Sequence, residues 1–76
     1  MKSYDKTLTR LIIILTKLTN NELPTIKELA EEFNVGIRTI QRDVYQRLIY
    51  FPIEKDSLNR LKFIEGFSLD RSSLAD

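Results

Sequence analysis

Arg38, Thr39, Arg42 and Gln46 lie within and just beyond the stretch "NVGIRTIQRDV". On a helix advancing about 100° per residue they share one face. A guanidinium offers a planar fork of donors that fits a phosphate or the O6 and N7 of guanine. A glutamine amide can pair with the edge of adenine, and a threonine can meet a phosphate or a thymine methyl. The set suits an anionic polymer with readable edges. Arg and Gln are also good helix formers on ordinary solvated faces, so the surrounding elements must decide.

Other chemistries are poorly supplied. The 76 residues contain no Cys and no His. Thiolate or imidazole metal sites, disulfides, Cys nucleophiles and His-based triads are therefore excluded. The two glycines, Gly36 and Gly66, build no phosphate-cradling loop. No enzyme activity and no cofactor is expected. The longest apolar run, "LIIIL" at 11–15, is far short of a membrane span. No signal peptide is visible, so a cytoplasmic protein without a membrane partner is expected. The length predicts one small domain with a thin core.

The elements around the polar stretch follow from periodicity. Residues 5–19 predict a first helix with Leu8, Leu11, Ile12, Leu15 and Leu18 on its buried face. Ile13 and Ile14 fall off that face, either packed under a later strand or exposed to a second subunit. "NNELP" breaks the chain. Thr25 and Glu28 match a capping box ahead of Ile26, Leu29, Ala30 and Phe33, which predicts a second helix ending at Asn34. Asn34 tolerates a left-handed backbone. Val35 is explained if the turn folds it back between two helices, and Gly36 serves as the next N-cap.

A third helix is predicted from Ile37 to about Ile49. Ile37, Ile40, Val44 and Leu48 form its inner face, with Arg38, Thr39, Arg42 and Gln46 outside and Tyr45 alongside. Gln41 falls at the boundary. Asp43 is expected to orient a neighbouring arginine or to cap locally, and Arg47 to pair with a glutamate or face solvent. Residues 51–55 and 60–65 predict an antiparallel hairpin closed by "DSLN" and ended by Gly66. Residues 67–76 read as a linker or the start of a missing domain.

The predicted fold class is thus mainly α with a small β-hairpin: a winged helix-turn-helix of three helices plus a wing, over residues 1–66. Charge supports it. Gly36 to Leu48 holds three Arg against one Asp, whereas Thr25 to Phe33 holds three Glu against one Lys. In this arrangement the third helix enters the DNA major groove. The N–H groups at Gly36 and the two following residues would meet a phosphate. Lys55, Arg60 and Lys62 would reach the backbone or a minor groove as the wing, and Thr25 lies at the end of the second helix that faces the phosphates. The rival reading is a winged helix used for protein–protein contact or dimerisation.

"TIKELAEEFNVGIRTIQRDV" resembles the N-terminal winged helix-turn-helix of bacterial transcription regulators of the DeoR-like and WYL-domain type. Their pattern is close to "eLAeefxVSxRTIqRDl", and "RTIQRD" is unbroken here from Arg38 to Asp43. The resemblance extends through "IYFPIEKDSLNRLKFIEGFSL", the wing and exit strand. It implies double-stranded DNA as partner, sequence-specific binding through Arg38, Thr39 and Arg42, a homodimer, and a place on the nucleoid. It also implies a ligand-sensing C-terminal domain, which these residues do not contain. Gly36 departs from the usual Ser. It removes a hydroxyl that could cap the helix and touch a phosphate, at a cost of a few tenths of a kcal/mol.

Overall fold

A computed structural model describes residues 3–67 and 69. Three helices are followed by a two-stranded antiparallel hairpin, the layout of a winged helix. The helices are α1 (Ser3–Thr19), α2 (Ile26–Phe33) and α3 (Ile37–Arg42). A π-helical segment, Asp43–Arg47, extends α3, and the strands are β1 (Ile53–Lys55) and β2 (Leu61–Phe63). Ile53 pairs with Phe63, Glu54 with Lys62 and Lys55 with Leu61. The strands are shorter than the predicted 51–55 and 60–65. Among the described residues no helix is long and apolar enough to cross a membrane.

The core is one cluster: Ile14, Leu18, Leu29, Ala30, Ile40, Val44, Leu48 and Leu61. It draws on all three helices, the π segment and β2. The phase of α1 differs from the predicted one. Ile14 is fully buried, whereas Leu8 and Ile12 are each 55% exposed. Leu11 and Leu15 pack only partly against the core. The run at 11–15 satisfies helical periodicity on either side, so apolar spacing alone leaves the rotation open. In the structure the Arg10 guanidinium reaches inward to Asp43, one turn before Ile14, and Leu8 and Ile12 face outward.

Both inter-helix turns close with the same device. Asn21 has φ 58° and Asn34 has φ 55°, both left-handed. After α1, Glu22 N–H donates to Lys17 C=O at 3.0 Å and Asn21 N–H to Leu18 C=O at 3.1 Å. After α2, Val35 N–H donates to Ala30 C=O at 3.0 Å and Asn34 N–H to Glu31 C=O at 3.3 Å. These are Schellman closures, which bring an apolar residue just past the turn against the helix it leaves. That accounts for Val35, which packs against the core. Asn34→Ala puts an ordinary side chain at a left-handed position and is expected to destabilise the fold by about 1 kcal/mol. Urea unfolding reads this as a lower midpoint at unchanged slope.

The N-terminus of α2 matches the capping box. Thr25 Oγ1 accepts from Glu28 N–H at 3.0 Å, and Thr25 N–H donates to the Glu28 carboxylate at 2.9 Å. Lys17 ties α1 to α2 through Glu32 at 2.9 Å. The hydrogen bond that Lys17 donates to Glu32 is the main cause that raises the Lys17 pKa, against partial desolvation. The hairpin is anchored next to this corner. Leu61 N–H donates to Pro24 C=O at 2.7 Å, and Thr25 bridges Arg60 through the backbone.

Past Gly66, which has φ 91°, the chain stays on the domain for at least two more described residues. Phe67 meets Phe63 edge to face, with centroids 4.9 Å apart. Leu69 lies in a hollow with Ile12, Leu15, Thr16 and Thr19. The rest of the expected linker, residues 68 and 70–76, lies outside the described residues.

Candidate nucleic-acid interface

The polar face of the third helix is built from α3 and the π segment together. Arg38, Gln41, Arg42, Tyr45 and Gln46 line one shallow hollow of about 310 Å³. Arg38, Gln41, Arg42 and Gln46 are exposed, and Tyr45 is 46% exposed. Arg38, Gln41, Arg42 and Tyr45 fall three, four and seven residues apart and form one ridge. Gln41, expected at a boundary, therefore belongs to this face. Thr39 is half-buried at its edge and does not line the hollow.

Two further expectations fail here. Ile37, assigned to the inner face, is 49% exposed. It lies in the first turn, about 60° of rotation from Ile40, before the helix reaches the core. The α-helix also stops at Arg42 instead of running to about Ile49. Leu48 N–H bonds back five residues to Asp43 C=O at 2.8 Å. Rows at i, i+4, i+8 drift by about 40° per step on an α-helix. The wider π turn takes back that drift, so Val44 and Leu48 both stay buried beside Ile40.

Asp43 is the buried hub of this segment, with no exposed surface. Arg10 Nε donates to its Oδ2, and Arg10 Nη2 donates to its Oδ1 at 3.2 Å. Arg47 Nη1 donates to Oδ1 at 2.7 Å. Asp43 thus orients arginines, as expected, and Arg47 pairs with it and not with a glutamate. Nothing near Arg10 in sequence marks it as a partner of Asp43 beyond a charge four residues before Ile14, on what proves to be the buried face.

Charge pairing separates the arginines. Arg10 and Arg47 are held by Asp43, and Arg60 by Asp56 at 2.8 Å. Among the described residues, Arg38 and Arg42 have no carboxylate partner and no side-chain hydrogen bond. They are the two that point outward from α3.

The remaining predicted contacts are spread around this ridge. Gly36 is the N-cap of α3 with φ −74° and ψ 156°, and no side chain caps the helix. A Cβ there would meet nothing within 4 Å, so a Ser at this position fits sterically. The Thr25 hydroxyl is engaged as the α2 cap and keeps only its proton for another partner. On the wing, Lys62 faces Glu54 across the strands at 3.6 Å. Asp56 organises the hairpin tip by accepting from Leu58 N–H at 2.8 Å and Arg60 N–H at 3.0 Å. The backbone bond from Arg60 is the largest cause that lowers the Asp56 pKa. Lys55 lies over the Tyr45 ring at 5.9 Å and joins the wing to the ridge. Comparison with known proteins finds no matching family model, no matching curated protein and no matching solved structure.

Proposed function

We propose that this chain is a DNA-binding domain of a bacterial transcription regulator, with the Arg38–Gln46 ridge in the major groove and the β1–β2 hairpin as a wing on the backbone. The observation that carries the reading is the isolation of Arg38 and Arg42. Two guanidiniums without carboxylate partners stand one turn apart on an exposed helix face, while the arginines elsewhere in the described fold are neutralised. Gln41 and Gln46 beside them add amides able to pair with a base edge. Lys55 at Tyr45 supplies a further cation at the junction of ridge and wing. The "RTIQRD" resemblance supports the same function and a place on the nucleoid.

The test is an in-vitro selection of duplexes by the 76-residue chain, followed by a salt titration on the winner. The logarithm of affinity should fall linearly with the logarithm of salt concentration, with a slope of about −0.9 per phosphate neutralised. Lys55→Ala should reduce that slope by about one while leaving the selected sequence unchanged. No enriched sequence, together with salt-insensitive binding, would rule the reading out.

A second reading, self-association, is favoured by the outer face of α1. Leu8 and Ile12 are each 55% exposed there, and with Leu15 and Thr19, which share a hollow with Leu69, they follow the alternating four- and three-residue spacing of a coiled-coil seam. They are flanked by the uncharged Thr9 and Thr16. A seam without charge can meet its own copy without like-charge repulsion. The two functions are compatible, since this face lies on α1 and the arginine ridge on α3. Ile12→Glu should shift the chain toward monomer in sedimentation equilibrium. A parent that is monomeric at millimolar concentration would remove this reading.

A further inference from the structure

The helix that carries Arg38 and Arg42 is held by two kinds of contact. Ile40, Val44 and Leu48 give it an apolar seat on the core. Such packing resists separation, but the hydrophobic effect has no direction of its own. Asp43 supplies direction. Its carboxylate lies at the junction of α3 and the π segment and takes both Nε and Nη2 of Arg10, across 33 residues of sequence. Two-point pairing of a planar fork with a carboxylate fixes orientation as well as distance. The Arg47 bond comes from the same segment, four residues on, so it cannot relate that segment to α1. Arg10 can.

The lever is short and sensitive. Side chains reach about 5–6 Å from a helix axis, so a rotation of about 10° displaces their tips by about 1 Å. A recognition constellation tolerates about 0.5 Å. Asp43 directly follows Arg42 in the chain, so a rotation at Asp43 is passed to both guanidiniums.

We propose that Arg10 is a positioning residue. Through Asp43 it sets the rotation of α3 relative to α1, and so determines which base edges Arg38 and Arg42 reach, without touching DNA itself. The consequence for base choice rests on the DNA-binding reading above; the rotation does not.

Three variants test it: Arg10→Lys, which keeps the charge but loses the fork, Arg10→Met, which loses both, and Arg47→Gln, which leaves the tie to α1 intact. Residual dipolar couplings of the free protein, at a temperature where each variant is folded by circular dichroism, read the angle between α1 and α3. Both Arg10 variants should change the couplings of residues 37–42 relative to those of α1, and Arg47→Gln should not. Parental couplings in the Arg10 variants overturn the proposal. So does an equal change in Arg47→Gln, which would assign the rotation to the buried carboxylate alone. On DNA, Arg10→Lys should lower the ratio of affinities for the selected and an unrelated duplex about tenfold. Affinity for the unrelated duplex should hold, because its charge-driven binding is unchanged. An unchanged ratio alongside selective binding by the parent overturns the effect on base choice. A parent without selective binding removes the DNA reading, and the couplings still decide the rotation.

Discussion

Replacing Arg38 and Arg42 together with alanine is expected to abolish selective DNA binding and leave the fold intact. Each good bidentate contact to a base edge is worth about 1–3 kcal/mol. Losing two amounts to about 2–6 kcal/mol, or roughly thirtyfold to twenty-thousandfold in affinity. The fold should be indifferent, for reasons visible in the structure. Both side chains are exposed and neither is held by a carboxylate. Alanine is the best helix former, and surface changes of this kind usually stay within about 0.5 kcal/mol. Fluorescence anisotropy on the selected duplex and a thermal melt of the same samples separate the two effects. Arg42→Lys sharpens the test. It keeps the charge and gives up the fork, so affinity for unrelated DNA should persist while preference for the selected site falls. Parental affinity in the double alanine variant would show that the ridge is a solvated helix face.

The parts of this molecule that were readable in its sequence are those fixed by nearby residues. The Thr25–Glu28 capping box is one turn of backbone and two side chains, and the structure contains both of its bonds. Asn34 takes the left-handed turn because a short polar side chain tolerates that backbone. The hairpin followed from short alternating runs around "DSLN", where Asp56 and the left-handed Asn59 make the tip. The parts that were not readable are set at long range. Five apolar residues in a row at 11–15 give α1 two acceptable faces, and the face that turns inward is the one whose Arg10 meets Asp43, which is remote in sequence. The π turn likewise depends on holding Leu48 over the core while Asp43 points inward, and no local propensity encodes it. Both features meet at the Arg10–Asp43 contact. Gln41 joins the ridge because it follows Arg38 by three residues, and Ile37 stays outside the core because it lies in the first turn of α3.

Asp43→Ala should be among the most destabilising single changes available to this chain. The carboxylate has no exposed surface, and the Arg10 side chain is only 12% exposed. Deleting the acid leaves a largely buried guanidinium without its acceptor, a change that typically costs about 3–5 kcal/mol. A chain of this length has a total stability of about 4–11 kcal/mol at typical values per residue, so the variant loses a large share of it. Arg47 contributes less to the loss, because its half-exposed head can swing into water. The sign of the coupling distinguishes a buried pair from two independent contributions. Arg10→Met combined with Asp43→Leu replaces the pair by apolar groups of similar length. It should be more stable than Asp43→Ala alone, since no charge is then stranded. Urea unfolding of the parent, Asp43→Leu, Arg10→Met and the double variant closes the cycle. Additive losses would mean that the two side chains do not depend on each other, and the rotation of α1 would need another cause. A double variant more stable than either single one, with its DNA selectivity lost, would separate what this ion pair does for the fold from what it does for the orientation of α3.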